Sequence, residues 1–176
     1  MSAYLLIILA VLSRVVPHPD WLNFTAVGGS LLFFGARRPL SQAAIPVALL
    51  AATDYYLTVF AYNYPFHVSA YLITWAWYAA VIILGRVLLA KHVSALRVGS
   101  GVLIAPTSFF LITNFAAWLA MPTVYPRTLA GLGMSYEAGL PFYRNDLIST
   151  ALVAGLAFGL PVLARQLTTH RQTAGV

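Results

Sequence analysis

Long apolar runs separated by short polar stretches make up most of this chain. One of them reads LITWAWYAAVIILGRVLLA and holds a single charge. Hydrophobic residues form 61% of the sequence and charged residues only 8%, whereas soluble domains carry about 25% charged residues. A soluble fold of 176 residues leaves too much area exposed to hide that amount of apolar surface. The composition therefore predicts an integral membrane protein embedded in a lipid bilayer.

The apolar residues fall into segments that predict an all-α bundle of about six transmembrane helices. We place these segments at residues 3–16, 24–36, 42–60, 69–90, 98–121 and 146–167. The last three have the roughly 20 residues that a helix needs to cross a bilayer. The first two are short, so either they extend with polar ends buried against other helices or they form a broken pair. Because short helices exposed to lipid cost mismatch energy, we expect protein to shield them.

The same pattern sets the domain organisation. Residues 1–167 are predicted to form a single transmembrane domain, and residues 168–176 a flexible cytoplasmic tail. The first segment differs from a signal peptide, because it lacks a basic start and ends in Arg14 and Pro17 rather than in a small-residue cleavage site. We therefore keep it as a membrane helix.

The basic residues indicate the orientation. With the N-terminus inside, the inner loops hold seven basic residues and no acid: Arg37, Arg38, Arg86, Lys91, Arg97, Arg165 and Arg171. The outer side holds three basic residues and all four acids: Arg14, Arg127, Arg144, Asp20, Asp54, Glu137 and Asp146. The positive-inside rule then predicts a multi-pass protein of the bacterial inner (cytoplasmic) membrane with both termini in the cytoplasm. It explains the net charge of +6 without a nucleic-acid partner.

Several classes of chemistry are absent from the sequence. There is no cysteine, so disulfides and thiolate sites are excluded. No histidines or acids stand at metal-ligand spacing, and no nucleophile, zinc or phosphate-loop motif occurs. We therefore expect no enzyme activity, no metal and no cofactor.

The unusual polar groups collect near the outer ends of the helices. A long outer loop at residues 121–145 suggests a lid or binding element, and apolar walls with a few polar groups are typical of small-molecule sites. The candidate substrate-binding residues are Asn23, Asp54, Asn114, Trp118, Tyr125, Glu137 and Arg144. Aromatic rings would stack on a flat ligand, and the amides would fix its orientation.

Each candidate also has a structural interpretation. Asp54 could pair with Arg14 or Arg144 instead of a ligand, and Arg144 could equally pair with Asp146 or Glu137. Asn114 could bond to a neighbouring helix, as polar groups in membrane bundles often do. Trp118 could belong to an interfacial belt. The small residues of the second and sixth segments could pack within the chain or against a partner subunit.

Four stretches carry a resemblance to a known family. They are RVVPHPDWLNFTAVGGSLLFFGA at residues 14–36, SFFLITNF at 108–115, YPRTLAGL at 125–132 and PFYRN at 141–145. They resemble a family of small, uncharacterised bacterial membrane proteins, although Ala26 stands where that family tends to have proline. That family distantly resembles the S components of energy-coupling-factor vitamin transporters.

The resemblance implies a function. S components are six-helix proteins that bind a vitamin or related micronutrient near the outer face and dock on a membrane coupling subunit and ATPases. By this resemblance the chain is expected to be a substrate-binding subunit for micronutrient uptake. The alternative is a structural or accessory subunit of a larger membrane complex, which the compact size and small-residue surfaces fit as well.

Overall fold

Six α-helices form one bundle in the computed structural model, which describes residues 1–16 and 23–174, with side chains as far as residue 163. The helices are α1 Ser2–Val15, α2 Val27–Arg37, α3 Ala44–Tyr56, α4 Leu72–Leu89, α5 Ala95–Ala120 and α6 Leu129–Ala174. A 3-10 turn precedes α3, and a π-helical turn, Leu57–Ala61, extends it. The predicted all-α fold with six helices is confirmed, and the described residues contain no strand.

Four stretches of helix are long and apolar enough to cross a membrane. They are Leu40–Ala61, Leu72–Leu89, Ala95–Ala120 and Leu129–Leu163. Their outer surfaces carry exposed leucine, isoleucine, valine and phenylalanine side chains, which suit a lipid environment. These features support the predicted membrane protein.

The short helices α1 and α2 differ in how far they are buried. Every residue of α2 from Val27 to Ala36 is buried, because α2 packs against α1, α4, α5 and α6. The expectation that protein shields the short segments is therefore confirmed for α2. It is wrong for α1, which buries Ala3, Ile7 and Ala10 on one face but leaves leucine and isoleucine side chains exposed on the other.

The long outer loop predicted for residues 121–145 is wrong. The chain turns within residues 121–128, and α6 begins at Leu129. The Thr128 hydroxyl accepts a hydrogen bond from the Gly131 N–H at 3.1 Å and so caps the first turn. The glycine and proline residues of this stretch are typical of loops, but packing against α5 stabilises the helix. Residues 168–174 of the predicted tail also lie in α6.

The bundle has a basic end, which we define by Arg37, Arg38, Arg86, Lys91 and Arg97. The start of α1 and the end of α2 meet there, since the Arg38 guanidinium lies 5.0 Å from the ring centroid of Tyr4. The Arg37 guanidinium lies 5.8 Å from the ring centroid of Phe158 on α6. The Arg86 backbone lies beside Gly35 of α2, and the Arg97 guanidinium donates to the Leu88 carbonyl oxygen at 3.1 Å. These basic residues therefore gather at one end of the bundle, as the positive-inside pattern predicts.

Helices α2 and α4 approach each other backbone against backbone. A Cβ atom at Gly35 would overlap the carbonyl oxygen of Ile82, and a Cβ atom at Gly85 would overlap that of Leu32. The two glycines are reciprocal, because each makes room for the backbone of the other helix. Such small-residue contacts let membrane helices pack at short distance.

This contact yields a stability prediction. Gly35→Ala and Gly85→Ala should each destabilise the protein by about 1–3 kcal/mol, because the added methyl group meets backbone that has no room to move. Thermal unfolding of the detergent-solubilised variants measures the effect. Gly99→Ala is the control, since a Cβ atom there meets nothing within 4 Å, and alanine favours the helix by about 1 kcal/mol. Equal stability of all three variants would contradict the packing described here.

Candidate functional site

An ion pair joins α1 to α3 inside the bundle. Arg14, in the last turn of α1, contacts the Oδ1 atom of Asp54 on α3. The two side chains are 15% and 4% exposed. A charge inside a membrane segment is costly unless it is paired. The pairing of Arg14 with Asp54, one of the alternatives from the sequence, is confirmed.

Residues of α3 and α4 complete this ion pair. The Arg14 guanidinium donates to the Tyr78 hydroxyl at 3.2 Å and to the Leu50 carbonyl oxygen at 3.4 Å. The Trp75 indole N–H donates to the Oδ2 atom of Asp54 at 2.9 Å, and the Tyr78 hydroxyl lies 3.5 Å from the same oxygen. Both oxygens of Asp54 therefore have protein partners.

A cavity of about 220 Å³ lies beside the ion pair. Its walls come from all six helices and from the segment before α2. The residues that line it are Arg14, Asn23, Thr25, Val27, Asp54, Tyr71, Thr74, Trp77, Tyr78, Phe109 and Asp146. The cavity thus combines aromatic walls with polar groups that converge from separate helices, as ligand sites do.

Asn23 holds a special backbone conformation at this cavity. Its φ of 57° lies in the left-handed region, which asparagine adopts more readily than most residues with a side chain. The turn leads directly into α2. The backbone thereby places the Asn23 side chain on the cavity wall, and the residue lines three cavities in succession.

The cavity continues towards the α5–α6 hairpin. A narrow space of about 40 Å³ shares Asn23, Phe109 and Asp146 with the first cavity. It shares Asn114 and Gly139 with a wider one of about 330 Å³. The three spaces therefore adjoin one another between the ion pair and Tyr125, in the turn between α5 and α6.

The polar residues inside α5 hold neighbouring helices at these cavities. Thr107 and the hydroxyl of Tyr143 on α6 are 3.0 Å apart, and the Trp77 indole N–H of α4 donates to the Ser108 hydroxyl at 3.1 Å. The Ser135 hydroxyl donates to the backbone oxygen of Asn114 at 2.8 Å. These bonds fix α4 and α6 against α5, around the buried Pro106.

Asn114 has both a structural contact and a place on the cavity wall. Its Nδ2 atom donates to the Phe110 carbonyl oxygen at 2.8 Å. A Cβ atom at Gly139 would overlap the Asn114 amide, so that glycine makes room for it. Its amide makes no other hydrogen bond to the described residues, which leaves capacity for a ligand.

The structure separates the predicted site residues into two groups. Asn23, Asp54, Asn114 and Tyr125 line the connected cavities, although Asp54 is occupied by Arg14. The other three, Trp118, Glu137 and Arg144, do not line them. Whether any of these residues contacts a ligand stays a prediction.

The three predicted residues that do not line the cavities lie elsewhere on α5 and α6. The Trp118 indole N–H donates to the Pro126 carbonyl oxygen at 2.8 Å, and the Arg127 guanidinium lies 5.7 Å from a Trp118 ring centroid. Trp118 therefore closes the α5–α6 turn. Glu137 and Arg144 lie on the exposed face of α6. Among the described side chains, Arg144 forms no ion pair with Glu137 or Asp146.

Sequence reasoning missed one acid and several aromatic residues of the cavity. Asp146 is 5% exposed and lines the first two spaces. Tyr71, Trp77 and Phe109 line the first. An acid within an apolar helix was the available signal, but the supposed loop before it made Asp146 look like a helix end. No group of three or more metal-ligating acids and histidines occurs in the described part of the chain.

Comparison with protein-family models assigns the chain to a family. One model matches residues 1–172. The chain belongs to DUF6580, a family of unknown function. No curated protein and no solved structure matches this DUF6580 chain. Its site must therefore be interpreted from its own residues.

The ion pair yields a prediction for a double-mutant cycle. Arg14→Met or Asp54→Leu alone should destabilise the protein by about 3–5 kcal/mol, because each leaves a buried charge without its partner. The double variant should lose much less than the sum, since it leaves neither charge. Unfolding of all four proteins in the same detergent measures the coupling. Additive losses would contradict a mutually dependent pair.

Proposed function

We propose that this chain is a substrate-binding membrane subunit for the uptake of a small, vitamin-like molecule. The observation that supports binding is the set of connected cavities, where polar groups from several helices converge inside an apolar bundle. The cavities of about 220 and 330 Å³ suit a molecule of one or two rings, near the lower bound of usual ligand sites. Stacking on an aromatic side chain of the cavity wall would orient the rings of the ligand.

The resemblance to S components supports the transport part of the proposal. The chain has their helix number and similar length, and it places its cavities away from the basic end. In the cytoplasmic membrane, with the basic end inside, the cavities would then lie towards the outer face. An uptake subunit of this kind would dock on a membrane coupling subunit and ATPases.

The ligand would contact the cavity residues that have free capacity. Asn23 and Asn114 offer amides, and Tyr125 offers a ring near the wider opening. Asp54 would act indirectly, since it holds Arg14 and Tyr78 on the cavity wall. Trp118 would stabilise the turn that carries Tyr125.

The proposal predicts that protein purified gently from its own membranes retains a compound of a few hundred daltons, observable by native mass spectrometry. Ala138→Trp should remove most of that compound, because residue 138 lines the wider cavity and an indole would fill it. Asn114→Ala should weaken retention about tenfold, the effect of one buried hydrogen bond.

Two variants on the exposed face of α6 serve as controls. Leu140→Trp adds the same indole at a residue that is 52% exposed, and Glu137→Gln removes an exposed charge; both should retain the compound. A wild-type protein that is empty, or Ala138→Trp that retains the compound as well as Leu140→Trp, would contradict the proposal.

A second candidate is a structural or accessory subunit of a membrane complex. An open apolar groove of about 700 Å³ between α5 and α6 at the basic end favours it. Gly99, Gly155 and Gly159 line this groove, and a Cβ atom at each would meet nothing within 4 Å. Small residues of this kind admit a partner helix. In the same mass spectra, an empty protein in fixed ratio to other membrane subunits would favour this candidate.

The proposed orientation can be tested because the chain has no cysteine. Lys91→Cys, at the basic end, and Val124→Cys, in the α5–α6 turn, place single thiols at opposite ends of the bundle. In intact cells a membrane-impermeant maleimide should label residue 124, and residue 91 only after lysis. Labelling of residue 91 in intact cells would contradict the orientation.

A further inference from the structure

Among the residues that the structure describes, Asp146 differs from Asp54, the other acid of the cavity, in having no cationic partner. Its side chain is 5% exposed, and within the described part of the chain its carboxylate accepts one long hydrogen bond, from the Thr150 hydroxyl at 3.4 Å. The basic residue among the described cavity walls is Arg14. Arg14 is already held by Asp54, Tyr78 and the Leu50 carbonyl oxygen.

The charge of the cavity follows from these contacts. Arg14 and Asp54 compensate each other, so the described walls carry one negative charge in excess when Asp146 is ionised. An isolated carboxylate away from water is costly until a positive group approaches it. A neutral or anionic ligand would leave that cost in place.

The aromatic walls favour the same kind of ligand. Tyr71, Trp77 and Phe109 line the cavity that Asp146 faces. The rings of Trp77 and Phe109 pack with centroids 4.6 Å apart, and the Trp77 indole N–H is already bonded to Ser108. The faces of such rings carry negative potential and attract organic cations.

An inorganic cation fits the cavity less well. Calcium takes six to eight oxygen ligands at short range, whereas the described residues hold no group of three or more metal-ligating acids and histidines. The space of about 220 Å³ is also far larger than a dehydrated ion. It matches the size of a ring that carries its charge on nitrogen.

We propose that the cavity selects an organic cation, whose positively charged nitrogen binds the Asp146 carboxylate while its ring packs against Trp77 and Phe109. This inference rests on the proposed function, since it names the ligand class of the same site. Asp146 would be a substrate-binding residue, and Thr150 would orient its carboxylate through the hydrogen bond to Oδ1.

The test uses probes that differ in charge but hardly in shape. One triad is 1-methylnicotinamide, nicotinamide and nicotinate, and the second is tryptamine, tryptophol and indole-3-acetate. Binding to the purified full-length protein in detergent is measured by equilibrium dialysis. Thr74→Trp, which adds an indole to the cavity of Asp146, and the exposed control Leu140→Trp are measured beside it. In at least one triad the cation should bind about 30-fold tighter than the neutral and anionic members, the effect of one buried charge pair.

Asp146→Asn keeps the shape of the side chain and removes its charge. It should abolish the preference for the cation and leave binding of the neutral probe within about twofold, whereas Glu137→Gln, which removes an exposed charge on the same helix, should change nothing. If Asp146→Asn fails to fold, the selectivity of the wild-type protein among the probes still decides whether the site prefers organic cations.

The outcomes separate the two proposals. Binding of neutral or anionic probes as tight as that of the cations, or an unchanged preference in Asp146→Asn, would overturn the organic-cation inference and leave the binding function standing. A cation preference that persists equally in Asp146→Asn and Thr74→Trp would place the interaction outside the cavity and overturn the inference as well. Failure of all six probes together with an empty native protein would overturn both proposals.

Discussion

Burial of the Arg14–Asp54 ion pair organises the part of the molecule on which function depends. Charges in an apolar bundle remain stable only when protein groups replace water around them. Here Trp75 and Tyr78 of α4 supply those groups, so the pair links α1, α3 and α4. The polar cavity lies directly beside it. An arginine that would otherwise attract anions is thereby neutralised, and Asp146 is left to set the charge of the cavity.

The buried helix α2 explains how so small a chain can enclose a cavity. Because α2 is covered by neighbours from Val27 to Ala36, the remaining helices can pack around it. Gly35 and Gly85 bring α2 against α4, while Gly28 and Gly29 bring it against Thr150 and Val153 of α6. Thr150 therefore lies between the central helix and Asp146. Packing and the candidate site are thus connected through one turn of α6.

Much of this architecture is predictable from the sequence, because lipid allows few alternatives to apolar helices. The six segments and the shielding of α2 follow from hydrophobicity. The cost of a lone buried charge predicts an ion pair for Asp54, but it leaves both Arg14 and Arg144 as candidate partners. The start of α6 does not follow, since Gly131, Gly133 and Pro141 look like loop signals. Contacts with α5, such as the hydrogen bond from Ser135 to Asn114, stabilise this stretch as a helix.

The site is predictable in part for the same reason. Polar residues in apolar segments identify Asn23, Asp54 and Asn114, but not which of them has hydrogen-bonding capacity left. Trp118, Glu137 and Arg144 have suitable chemistry, yet the extended α6 helix and its turn place them outside the cavities. Asp146 was hidden by the supposed loop before it. Its isolation from Arg14 depends on the relative positions of helices that the sequence does not specify.

The most direct test of this account is an experimental structure of the protein purified gently from its own membranes. The account predicts density for a small ring compound between Asp146 and Phe109, with a nitrogen of the compound at hydrogen-bonding distance from the carboxylate. Density for water alone, or a basic side chain of the protein bound to Asp146, would contradict a ligand-binding cavity of this kind.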